Sequence, residues 1–326
     1  MDLLKICLSI LVGLVIIIFS GNFLVNNAII LSRITKIPEV MIGATVVSLA
    51  TTLPELSVTI FSSIENADSL AMGNAIGSMV FNLTFIIGLC IAFLPQEIDA
   101  KNSKKNFIFL FVCLSLLFVI GSFNCMNIFY GIVLLIMCGY YLFSNFLDAK
   151  KRVSVDSVRL LYSRVSTEKV NFSKKDAFKA LIKLIIGSAL VLVGAKVLIS
   201  GCLKLAGEIG ISHHIVGVTL VAIGTSLPEL VTAISAIRKK ATSIAVGNII
   251  GANVLSCTLL VGATSVMNGG YLSFDKNITF FALPICAFSL LLLYLPIRKH
   301  NVTKRYQGIL LLILGVIYYA TVFKGL

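Results

Sequence analysis

Ten apolar runs, each close to the 20 residues needed to cross a bilayer as a helix, constrain this 326-residue chain more than any other feature. They lie at approximately 4–33, 39–63, 69–94, 106–123, 126–146, 177–206, 212–237, 241–266, 278–297 and 306–323. Hydrophobic residues make up 58% of the chain and charged residues 13%, where a soluble domain carries about a quarter charged. No fold in water hides that much apolar surface, so lipid is the expected solvent. The sequence predicts an all-α polytopic membrane protein of ten transmembrane helices.

The two halves repeat each other. GATVVSLATTLPEL at Gly43–Leu56 aligns with GVTLVAIGTSLPEL at Gly217–Leu230, a displacement of 174 residues. The same displacement carries AMGNAIG at Ala71–Gly77 onto AVGNIIG at Ala245–Gly251. Two motifs sharing one displacement without an insertion point to an internal duplication. The expected layout is a five-helix repeat over 1–146 (motif 43–82), a basic linker over 147–176, and a second repeat over 177–326 (motif 217–256). Because five is odd, the second copy enters the membrane upside down, the inverted-repeat plan whose substrate site lies near the midplane.

A net charge of +13 suggests nucleic acid at first sight, but the basic residues fall in short loops between apolar runs, which is an orientation signal. The 147–176 linker and the loops holding Arg33 and Lys36, Lys101 to Lys105, Arg238 to Lys240, and Arg298 to Arg305 share one side. Only Lys5, Lys276 and Lys324 fall on the other; Lys179, Lys183, Lys196 and Lys204 lie in or near the sixth run. The expectation is an inner-membrane protein with a cytoplasmic linker and both termini outside. The first run lacks a small-x-small cleavage site and reads as a retained helix. The eight cysteines form no CxxC and read as buried small hydrophobes. His213 and His214 read as a solvated helix start.

Of fourteen acidic residues, only Glu55 and Glu229 lie deep in apolar runs, and they are repeat equivalents. A charged group at the bilayer centre costs about 2.5–3.5 kcal/mol or more, so each needs compensation. A protonated Glu bonded to a neighbouring helix would explain one such residue better than two in a shared motif. Pro54 and Pro228 remove a backbone donor and free the carbonyls of Ala50 and Gly224, a break tolerated in lipid only facing protein, water or an ion. Thr51, Thr52, Thr225 and Ser226 add hydroxyls on the preceding turn. This oxygen-only set suits hard cations such as Ca²⁺ and Na⁺ rather than Zn²⁺ or Cu⁺. The GNxxG segments at 73–77 and 247–251 let helices approach closely, and Asn74, Asn248, Ser78, Asn82 and Ser256 offer polar groups to the same site.

ATTLPEL with GNAIGS, and GTSLPEL with GNIIGAN, resemble the paired motifs of the sodium/calcium exchanger (cation/calcium antiporter) superfamily, close to its compact prokaryotic YrbG-like members. The resemblance covers nearly the whole chain. It implies Ca²⁺ and Na⁺ ligation by Glu55 and Glu229, hydroxyl or carbonyl ligands at Thr51, Thr52, Thr225 and Ser226, backbone carbonyls at Ser48 and Ala222, and further ligands at Ser78 and Asn82. It also implies alternating access, with the first and sixth helices sliding as a gate. The sequence departs from the family where Ala252 and Ser256 replace a Ser and an Asp or Asn, and where Met79 replaces an Asn.

The function so implied is Ca²⁺/Na⁺ antiport, with no cofactor, the ions and the bilayer as partners, and a monomer able to hold the whole site. Ca²⁺/H⁺ exchange is the alternative that the thinner eighth helix raises. An organic-solute exporter of the ten-helix type shares the layout but does not call for two TxLPE elements. A passive channel would need no counter-ion. A membrane enzyme lacks support, since no HExxH or GxSxG is present.

Overall fold

Long unbroken apolar stretches leave backbone donors and acceptors no partner outside their own segment, so the chain resolves into helices. The computed structural model describes residues 3–35, 37–65, 68–95, 100–155, 174–208, 221–269, 274, 276 and 278–323. His213 and His214, the start of the second motif at 217–220 and most of the 147–176 linker lie outside them.

Among the described residues, α1 spans Leu3–Thr35 and α2 has two arms, Glu39–Thr51 and Leu53–Ile64, bent by 44°. Helix α3 runs through Asp68–Phe81, Asn82–Ile86 and Ile87–Phe93; α4 is Ala100–Ser122 and α5 is Ile128–Val155. Helix α6 is Lys174–Glu208, and α7 comprises Ala222–Thr225 and Leu227–Arg238. Helix α8 runs through Thr242–Leu255, Ser256–Leu260 and Val261–Met267. Helix α9 joins Ile278–Ala282 to Leu283–His300, and α10 is Arg305–Phe323. Among the described residues, eight helices are long and apolar enough to cross a membrane, and the bent α2 makes nine. The tenth expected span, 212–237, falls partly outside the described residues.

The duplication extends to helix boundaries. Leu53–Ile64 and Leu227–Arg238, Asp68–Phe81 and Thr242–Leu255, and Ile87–Phe93 and Val261–Met267 each start and stop at the 174-residue displacement. So do two π-helical turns, Asn82–Ile86 and Ser256–Leu260. Such turns interrupt the regular hydrogen-bond ladder and recur at functional sites. Each begins on a residue expected in the ion site, Asn82 or Ser256.

Burial separates centre from rim. The most apolar stretch of α8 is 94% buried and that of α3 67%, against 22% for α1. Glycines allow this centre to close: a Cβ at Gly251 would lie 2.6 Å from the Ala44 carbonyl oxygen and 2.7 Å from Ser48 Oγ, both on α2. The close-approach reading of GNxxG therefore holds for the second copy. Outward-facing Phe19, Phe111, Phe129, Ile136, Ile185 and Phe288 form part of an apolar exterior, the surface a multi-pass membrane protein presents to lipid. Of the described cysteines, Cys90, Cys113, Cys138, Cys257 and Cys286 are buried and unpaired, as expected, whereas Cys7 is exposed.

Candidate cation site

The break in α2 follows from its sequence. Pro54 cannot donate a hydrogen bond, so the helix restarts with the proline in its first turn and Thr52 at the junction. Pro228 and Ser226 do the same in α7. Each restart places a glutamate, Glu55 or Glu229, in the first turn of its second arm, where backbone N–H dipoles favour negative charge. Both glutamates are buried, Glu55 at 1% exposure and Glu229 at 0%.

Two equivalent braces cross between the halves. Thr51 Oγ1 donates to Asn248 Oδ1 at 3.1 Å, and Thr225 Oγ1 donates to Asn74 Oδ1 at 3.1 Å. Asn74 Nδ2 in turn donates to the Glu55 carbonyl oxygen at 3.1 Å and to Thr59 Oγ1 at 3.3 Å. Asn248 Nδ2 donates to Thr232 Oγ1 at 2.9 Å. Ser226 Oγ reaches across to Glu55 Oε1 at 3.3 Å. Elements of both halves thus meet at one place, and Asn74 and Asn248 act as struts rather than loose donors. Thr59 and Thr232 went unremarked in the sequence; their signal was a hydroxyl one turn beyond each glutamate, on the same helix face.

Several buried oxygens of these segments form no hydrogen bond of ordinary geometry within the protein. Glu55 Oε2, both carboxyl oxygens of Glu229, Thr52 Oγ1, Ser78 Oγ and Asn82 Oδ1 are buried and unsatisfied. A buried polar atom without a partner costs about 1–3 kcal/mol, more when charged, so gathering several around two carboxylates calls for an occupant. The unsatisfied atoms are all oxygens, the donor set of a hard cation. No cluster of three or more His, Cys, Asp or Glu residues occurs among the described residues, consistent with ligation by mixed oxygens.

The remaining expected ligands are less free. The Ser48 carbonyl accepts from Thr52 N at 2.9 Å, with Thr51 Oγ1 3.4 Å away. The Ala222 carbonyl accepts from Ser226 N at 3.3 Å, with Thr225 Oγ1 3.2 Å away. On α8, Ser256 Oγ donates to the carbonyl of Ala252 at 3.0 Å. At the positions expected in the site, α3 therefore has bare oxygens at Ser78 and Asn82, while α8 has the buried methyl of Ala252 and a Ser256 hydroxyl turned to its own helix, its bare oxygen lying instead at Asn253 Oδ1. Met79 is buried, with its sulfur 3.1 Å from Cys257 Sγ.

A cavity of about 770 Å³ lies beside the site. Pro54, Val58 and Phe61 of α2 form one wall and Leu192, Lys196 and Lys204 of α6 the other. Pro54 of the arm that carries Glu55 is among the lining residues, whereas Glu55 itself is not.

The sequence profile of the family described as "Sodium/calcium exchanger protein" matches residues 5–147 and 179–324. The inner membrane protein YrbG of Escherichia coli is 32% identical over 86% of each chain. The sodium/calcium exchanger MaX1 of Methanosarcina acetivorans is 28% identical over 97% of this chain and 98% of its own. A solved structure of the sodium-calcium exchanger NCX_Mj, soaked with Na⁺ and Sr²⁺, superposes with a TM-score of 0.81 at 30% identity, covering 98% of this chain and 99% of the other.

Proposed function

The chain belongs to the sodium/calcium exchanger family, and from that premise we propose that it exchanges Ca²⁺ for Na⁺ across the inner membrane by alternating access. Cation/calcium antiport is the family's activity; Na⁺ as the driving ion is the reading proposed for this member. The observation that carries it is the cluster of unsatisfied buried oxygens around Glu55 and Glu229. Two carboxylates balance one Ca²⁺, or hold Na⁺ ions in the same shell, so the two ions compete for overlapping ligands. Competition of this kind couples their fluxes without a separate energy source.

In this reading Glu55 and Glu229 are the central ligands. Thr51, Thr52, Thr225 and Ser226 supply hydroxyls, Ser48 and Ala222 carbonyls, and Ser78, Asn82 and Ser256 the remaining walls. No cofactor takes part, no chemical bond changes, and one chain contains the whole site. The two five-helix repeats, 1–146 and 177–326, are inverted about the midplane. The basic 147–176 linker is cytoplasmic and both termini are outside, as the loop charges favour. The cavity between α2 and α6 then opens outward.

The test is uptake of radiolabelled Ca²⁺ into proteoliposomes preloaded with Na⁺. Na⁺-dependent uptake, lost in Glu55→Gln and in Glu229→Gln, is the expected result. Absence of Na⁺ dependence sinks the proposal.

A second reading, Ca²⁺/H⁺ exchange, is favoured by one observation: α8 carries no carboxylate or amide at Ala252 and Ser256, and the Ser256 hydroxyl is engaged by its own helix. That leaves fewer ligands for several Na⁺ ions. Uptake driven by a pH gradient in Na⁺-free vesicles would select it.

A further inference from the structure

The repeat makes the α2/α6 groove the equivalent of the seam between α7 and α1, and the two seams are in opposite states. At the α1/α7 seam the helices touch. Asn22 Oδ1 accepts from Ser235 Oγ, and Lys239 Nζ donates to the Asn22 carbonyl at 3.1 Å. A Cβ at Gly21 would lie 2.7 Å from Val231 Cγ1. At the equivalent seam, the cavity of about 770 Å³ separates the walls.

Shifting the closed seam's residues by 174 positions identifies what the open one would bring together. Asn22 corresponds to Lys196, Ser235 to Phe61, and Lys239 to Glu65. Lys196 and Phe61 already line opposite walls of the cavity. Glu65 caps the C-terminal end of the α2 arm, as Lys239 caps that of α7. Both Lys196 and Glu65 are exposed. Where the closed seam sets a lysine against an amide, the open seam carries a lysine and a glutamate at the matching places.

We propose that Lys196 and Glu65 form an ion pair that latches the α2/α6 groove shut in the conformation opposite to the one described. The proposal rests on the alternating-access reading. When α6 moves onto α2 as α1 now lies on α7, the Lys196 ammonium takes the position of the Asn22 amide, and Glu65 takes that of Lys239. The two end states are then held by unlike contacts, an ion–dipole contact at one seam and an ion pair at the other.

Zero-length carbodiimide coupling on the full chain in proteoliposomes, read by peptide mass spectrometry, tests the pair directly. It joins a lysine to a carboxylate only when they touch. The Lys105–Asp148 ion pair, at 2.5 Å, is the internal control. A Lys196–Glu65 amide that disappears in Glu65→Gln is expected. Formation of the Lys105–Asp148 product without a Lys196 product overturns the proposal.

Charge reversal gives a second measurement. Glu65→Lys and Lys196→Glu should each slow exchange about fivefold, the scale of an exposed ion pair. Combining them should bring the rate back to within about twofold of wild type. A double variant no faster than the singles overturns the latch. Wild-type protein without Na⁺-driven Ca²⁺ flux would refute the antiport reading, while the coupling experiment still decides whether the groove closes through this pair.

Discussion

The seam between α1 and α7 and the seam between α6 and α2 are built from repeat-equivalent segments, yet one is packed and the other holds a cavity. In the first, Ile17, Leu227 and Val231 pack with Ala195 and Leu198 while Ser235 and Lys239 reach Asn22. In the second, Lys196 and Lys204 face Val58 and Phe61 across open space. The braces at the centre do not share this asymmetry: Thr51–Asn248 and Thr225–Asn74 have the same length. The two seams therefore differ in packing while the Thr–Asn braces between the halves stay matched.

The largest effect expected from breaking this comparison comes at the shared centre. Glu55→Gln and Glu229→Gln should each abolish exchange, because removing one buried charge from a compensated set costs about 3–5 kcal/mol, more than a hundredfold. Ca²⁺ binding by calorimetry on the purified variants checks it. Unequal losses from the two would mean the halves do not share the ion equally.

Next comes the packing of α8 against the first arm of α2. Gly251→Ala forces a methyl against the Ala44 carbonyl and Ser48 Oγ, and should destabilise the protein by about 1–3 kcal/mol, read as a lowered Tm. Gly139→Ala, in a helix interior with nothing within 4 Å of the added Cβ, should not lower Tm and should raise it slightly, since alanine loses less chain entropy than glycine in a helix.

The struts come third. Asn74→Ala and Asn248→Ala each remove buried hydrogen bonds and leave partners unsatisfied, about 1–2 kcal/mol, or roughly a tenfold loss in Ca²⁺ affinity. Asn74 also holds the Glu55 carbonyl, whereas Asn248 bonds only hydroxyls, so Asn74→Ala should be the more damaging.

The smallest effect belongs to the closed seam itself. Lys239→Ala removes a partly exposed contact to Asn22, worth under about 1 kcal/mol. It should raise labelling of a cysteine introduced at Ser235 two- to fivefold. Unchanged labelling would show that apolar packing alone keeps this seam shut.

Much of this was legible in the sequence because it depends on local chemistry. Apolar runs specify helices in lipid, and Pro54 and Pro228 specify where two of them break. A shared displacement of 174 residues specifies the duplication, down to matched helix ends. Glu55 and Glu229 stood out because a carboxylate in an apolar run has no cheap structural explanation. The roles of Thr59 and Thr232 as supports were not legible, since a hydroxyl on a helix gives no sign of which neighbour it will meet. The engagement of Ser256 by the Ala252 carbonyl was hidden for the same reason.

Taken by itself, the sequence determined the helical class, the repeat and the identity of the paired carboxylates, all of which follow from composition and spacing along one chain. Only the tertiary structure decided which oxygens are left bare, which asparagine braces which threonine, and which of two equivalent seams is open. Those outcomes depend on contacts between segments more than a hundred residues apart. Related repeats can settle into two different packings, and the choice between them is made by helix against helix.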